Sequence, residues 1–181
     1  SLQFVSTTAA ESLILGDSYS NNLSTSAVQY LPISGSAAPN ATESNAVSVI
    51  PTGGTLKNLY VLLNGTPGGS AHYAVTVRKN RVDSILICTV TSAATTCSDT
   101  SDTVSVVAGD TITISVTPAT TPTARMIGWG ITFVATTNGE FLINSTSASL
   151  PTAGTTYFYA AGGIASSNNI TDNNRRSGFQ T

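Results

Sequence analysis

Residues 71–79, AHYAVTVRK, decide the fold class. Tyr73, Val75 and Val77 fall on one side of an extended chain, and His72, Ala74, Thr76 and Arg78 on the other. A period of two marks a strand with one packed face and one wet face. Residues 111–117, TITISVT, repeat the pattern: Ile112, Ile114 and Val116 oppose Thr111, Thr113, Ser115 and Thr117. Further strand-like runs lie at 3–5, 27–33, 46–50, 55–64, 84–91, 103–107 and 126–135. Turn formers separate them: Gly53-Gly54, Pro67-Gly68-Gly69, Asn80-Arg81, Ala108-Gly109-Asp110, and residues 118–122 with a proline at each end. Good helix formers are scarce, and no crossover helix is legible. The expected fold is all-β, an antiparallel β-sandwich of the jelly-roll type.

Composition narrows the function. The chain has 181 residues, enough for one or two modest domains. Charged residues are 9%, against about 25% in ordinary soluble domains. Ser and Thr number 24 and 29. Seven Lys and Arg cannot supply the basic stripe of a nucleic-acid binder or an anionic-membrane binder. No apolar run approaches the ~18–20 residues of a membrane-spanning helix. No basic segment followed by an apolar one opens the chain, so neither a signal peptide nor membrane insertion is expected. An apolar content of 40% and a mean hydropathy of +0.16 argue for a packed core and against disorder.

An internal repeat sets the organisation. Shifted by 129 positions, residues 1–52 lie on residues 130–181 without a gap, with 15 identities. They include Phe4/Phe133, Val5/Val134, Thr7/Thr136, Thr8/Thr137, Glu11/Glu140, Leu13/Leu142 and Ile14/Ile143. Residues 2–5 thus match the closing strand 131–134. The expected layout is the closing strand of a preceding unit and a junction at 1–10, a complete unit at 11–137, and the opening part of a second unit at 138–181. Phe4, Val5, Glu11, Phe133, Val134 and Glu140 mark the junctions. A half-sheet cannot bury its apolar face alone. The partial copy calls for completion by another chain, through strand exchange, or by further sequence in a tandem array.

Individual residues carry little chemistry. Cys88 and Cys97 are nine apart and flank a Thr/Ser/Ala stretch that can turn. They are expected to form a disulfide across a hairpin, which points to an oxidising, extracellular setting; two small buried thiols are the plainer reading. Asn22, Asn40, Asn64, Asn144 and Asn169 each begin an Asn-x-Ser/Thr sequon, read either as N-glycosylation sites or as a product of the composition. Asp99, Asp102 and Asp110 could bind calcium, or simply cap turns. There is no metal-ligand spacing and no cofactor motif. The single His72, with no Gly-x-Ser-x-Gly elbow and only three Glu, gives no catalytic set. Arg78-Lys79-Asn80-Arg81 is a small basic hairpin tip, able to touch a polyanion but more simply solvated. Trp129 suits a core or a seam. Tyr30, Tyr60, Tyr73, Tyr157 and Tyr159 would need to be exposed together to stack on sugars.

Residues 53–134 include the strand GTLKNLYVLL, the strand-turn VTVRKN, the segment TVSVV and AGDTITISVTP. In these elements the chain resembles jelly-roll modules of tailed-phage virion proteins and of secreted bacterial and archaeal surface proteins. Such modules often place Gly after the turn Asn; here Arg81 follows Asn80. The resemblance implies architecture and an exterior structural role, and carries over no active site. The resulting expectation is a non-enzymatic fibre or filament subunit, extracellular or on a cell or virion surface. It would assemble end to end with copies of itself and need no cofactor. The alternative is a carbohydrate-binding or adhesive module with glycans as partners.

Overall fold

The computed structural model describes residues 8–140. Ten strands are present there: β1 (Glu11–Asp17), β2 (Gln29–Pro32), β3 (Gly35–Ser36), β4 (Ser48–Val49), β5 (Gly54–Leu63), β6 (His72–Lys79), β7 (Val82–Thr91), β8 (Thr96–Val106), β9 (Thr111–Ala119) and β10 (Ile127–Ala135). One 3₁₀ turn, Glu43–Asn45, is the sole helical piece among the described residues.

The strands form two sheets. One runs β3-β1-β10-β5-β8, and the other β2-β9-β6-β7, with β4 also on β9. All named pairs are antiparallel except the short parallel contact of β1 with β3. The architecture is a β-sandwich. Of the connections between consecutive strands, only β6 to β7 joins neighbours of one sheet.

The core follows the two-residue period. Tyr73, Val75 and Val77 of β6 and Ile112 and Ile114 of β9 are completely buried, facing Leu56 and Leu59 of β5 and Phe133 of β10. Each such side chain contributes ~1.5–3 kcal/mol when taken out of water.

Three local features depart from the expected pattern. β1 was not among the expected strands. Ile14 faces inward, but Leu13 and Leu15 on the other side are 43% and 59% exposed, so apolar residues on both faces hide the alternation. β8 begins at Thr96, well before the expected 103, because it runs through the polar SDTSDT. A bulge there, opposite Asn58 with φ 54°, lets that stretch stay in the sheet. The wet face of the second sheet is also partly dry: Thr76, Thr113 and Ser115 are buried. The segment after β2 folds back over that face and places Glu43 on it, where Glu43 Oε1 accepts from Thr113 Oγ1 at 2.8 Å and Arg78 Nε at 2.8 Å.

Candidate functional site

The first and last strands of the sandwich lie side by side. β1 and β10 are antiparallel neighbours with Glu11 opposite Val134 and Asp17 opposite Gly128. The chain therefore enters and leaves the unit at the same end. Four junction residues can be placed. Phe133 is buried in the core of its own sandwich, and Val134 is half-buried. Glu11 Oε1 pairs with Lys57 Nζ at 2.7 Å, across β10. Glu140 is exposed and accepts from the Thr52 hydroxyl. Phe4, Val5 and the partial copy from residue 141 onward lie outside the described residues.

Cys88 and Cys97 form a disulfide with their Cα atoms 5.7 Å apart. They do not face each other across a hairpin. Cys88 belongs to β7, the edge of one sheet, and Cys97 to β8, the edge of the other. The residues between them carry the chain from sheet to sheet, so the bond staples the two layers.

Asp99 reinforces that seam. Its carboxylate accepts the edge N–H of Ile87 on β7 at 3.2 Å, the N–H groups of Ser101 and Asp102 at 3.1 Å, and the Ser101 hydroxyl at 3.1 Å. Burial would raise this carboxyl, but the backbone donors outweigh it and hold the group below its ordinary range. Asp110 accepts from Val107 N–H at 2.8 Å, Asn80 Nδ2 at 2.7 Å and Lys79 Nζ at 2.9 Å. These donors lower it to about 2. Both aspartates spend their oxygens on protein donors, as turn and edge caps do. Among the described residues, no group of three or more His, Cys, Asp or Glu is placed to hold a metal ion.

The basic hairpin tip is largely neutralised within the chain. Arg78 pairs with Glu43 and Asp83 and lies 5.8 Å from the Tyr30 ring, while Lys79 pairs with Asp110. Burial would raise the Glu43 carboxyl, but hydrogen bonds from Arg78 and Thr113 lower it overall. Arg81, exposed at the tip, is the residue of the cluster left facing solvent most fully.

The tyrosines do not converge into a platform. Tyr73 is in the core, Tyr30 is half-buried beside Arg78, and Tyr60 is 57% exposed on the opposite sheet. Tyr157 and Tyr159 lie outside the described residues. Trp129 is buried and donates Nε1–H to the Ile33 carbonyl at 2.7 Å. Around Tyr60 the outer face is apolar. Leu62, Leu13 and Leu15 are exposed, and Gly128 and Gly130 of β10 run between them as a low floor. Composition and periodicity gave no sign of this patch, because it assembles from three strands distant in the chain.

Of the sequons, Asn22 and Asn64 are exposed, and Asn64 Oδ1 accepts the Met126 N–H at 3.0 Å. Asn40 is half-buried, its Oδ1 accepting from Thr42 N–H at 2.8 Å. Asn144 and Asn169 lie outside the described residues. His72 is half-buried on the outer face of β6, opposite Thr91 and Ala119. No helix among the described residues is long and apolar enough to cross a membrane. The sequence matches no protein-family model and no curated protein.

Proposed function

We propose that the chain is a non-enzymatic structural subunit or repeat of an extracellular or virion-associated fibre, built from jelly-roll sandwiches that assemble with copies of themselves. One observation carries this reading. The 129-residue repeat brackets one closed sandwich, Glu11 to Ala135, and residues on both sides of it repeat the sandwich's own ends. Strand order supports the jelly-roll assignment: β1-β10-β5-β8 faces β2-β9-β6-β7, with the outermost pairs of the chain nested around the inner ones. A seam stapled by a disulfide suits an oxidising exterior. Neighbouring positions for the chain's arrival and departure favour units joined at a shared end over a chain running pole to pole through each sandwich. Negative-stain microscopy and light scattering of the purified chain test the reading. Filaments or elongated oligomers are expected; a monodisperse monomer at all concentrations overturns it.

The exposed Tyr60 beside the glycine floor favours a second reading, an adhesive or carbohydrate-binding module. Glycan-array binding lost in Tyr60→Ala, without filaments, would select it.

A further inference from the structure

The second edge of β1 is open. β10 lies along one side for the full strand, but on the other side, among the described residues, β3 pairs only with Gly16 and Asp17. The ladder alternates. Ala135 N–H donates to the Ala10 carbonyl at 3.0 Å, so even-numbered positions of β1 bond to β10. The backbone N–H and C=O of Leu13 and Leu15 accordingly point to the open side. The Asp17 carbonyl does the same, accepting from Ala37 N–H at 3.2 Å beside β3. An edge carrying exposed leucines is an invitation to strand addition.

We propose that residues 3–6 of this chain close that edge as a hairpin with β1. Three observations converge on it. First, the chain turns at residues 8–10, and Ala10 has φ 65°. Three-residue hairpin loops end on a residue of that conformation. The loop Thr8-Ala9-Ala10 sets Thr7 opposite Glu11, and so Ser6 opposite Ser12, Val5 opposite Leu13 and Phe4 opposite Ile14. Second, this register turns Phe4 inward with Ile14 and Val5 outward with Leu13. Their repeat counterparts have the same polarity, with Phe133 buried and Val134 half-buried. A slip of one residue would reverse every side chain. Third, Ser12 Oγ is buried and has no hydrogen-bond partner among the described residues. The register brings the Ser6 hydroxyl directly opposite.

With three connecting residues, the chain's own strand reaches the edge at an effective concentration that a second copy cannot match. β1 then lies between two repeat counterparts, β10 and residues 2–5. The proposal does not depend on the fibre reading, since the edge needs closing in a monomer as well as in an assembly.

Paired cysteines in the full chain test it. Ser6 and Ser12 would be a non-hydrogen-bonded pair, the geometry that brings Cβ atoms closest. Ser6→Cys/Ser12→Cys is expected to oxidise within one chain, located by peptide mapping beside the native Cys88–Cys97 bond. Val5→Cys/Ser12→Cys, the slipped register, is expected to stay reduced. In the unmodified protein, the Leu13 and Leu15 amides should exchange with solvent on the order of 100-fold more slowly than exposed loop amides. A cross-link only in the slipped pair, a cross-link between two chains, or fast exchange at both leucines overturns the proposal.

Discussion

Cys88 lies on the edge strand of one sheet and Cys97 on the edge strand of the other, and their bond crosses the seam where no backbone ladder runs. Next to it, Asp99 on β8 holds the Ile87 N–H of β7. A covalent link and a charge-assisted hydrogen bond thus join two layers otherwise held by side-chain packing. Cys88→Ala/Cys97→Ala should lose ~2–3 kcal/mol, by the loop-closure term for a short loop. Urea denaturation of wild type and variant measures it. A loss below about 0.5 kcal/mol would mean the sheets need no staple.

Gly16 lies under Trp129. A Cβ at that position would come within 2.3 Å of Trp129 Cζ2 and 3.0 Å of the Gly35 carbonyl. The indole cannot move without giving up its hydrogen bond to Ile33. Gly16→Ala should therefore destabilise the fold by ~1–3 kcal/mol through overpacking and shift the emission of the single tryptophan to the red. Unchanged emission would show that the indole seat tolerates the methyl group.

Asn80 and Arg81 form a two-residue hairpin loop with φ 50° and 66°, between paired Lys79 and Val82. A loop with both residues left-handed favours Asn-Gly. Asn80 earns its place by accepting from Thr111 N–H at 2.8 Å and donating to Asp110. Arg81 carries the strain of a side chain at positive φ, so Arg81→Gly should stabilise by ~1 kcal/mol. A rise in the thermal midpoint checks it; a fall would show that the Arg81 side chain matters more than its backbone strain.

The folded protein holds Glu43, Asp99 and Asp110 below their ordinary values, Asp110 at about 2. A carboxyl whose folded pKa is depressed contributes its full stability above the unfolded value and loses it as pH falls. Stability from these groups should be flat above pH ~5 and decline from there toward pH ~2. Thermal melts across that range test it. Asp110→Asn should flatten the lowest part of the curve, and an unaltered slope would assign acid sensitivity elsewhere.

The alternation in β6 and β9 was legible because each strand has one face in the core, so the period of two survives in the residues themselves. β1 and the first half of β8 were not legible. One has leucines on its outer face, and the other is polar throughout a bulge, so neither shows a clean alternation. The cysteine pair was legible as a pair, but nine residues are compatible with a hairpin or with a crossing between sheets. Only the pairing of β8 with β5, and not with β7, selects the crossing.

Local order in this chain thus came from its residues alone: strands, turns, a bonded cysteine pair and a repeat, all set by side-chain period and backbone preference over a few positions. Which strands became neighbours, and hence the seam, the covered outer face, the apolar patch around Tyr60 and the open edge of β1, was decided by tertiary structure. Those features join residues tens of positions apart, and contacts at that distance arise from packing two whole sheets together.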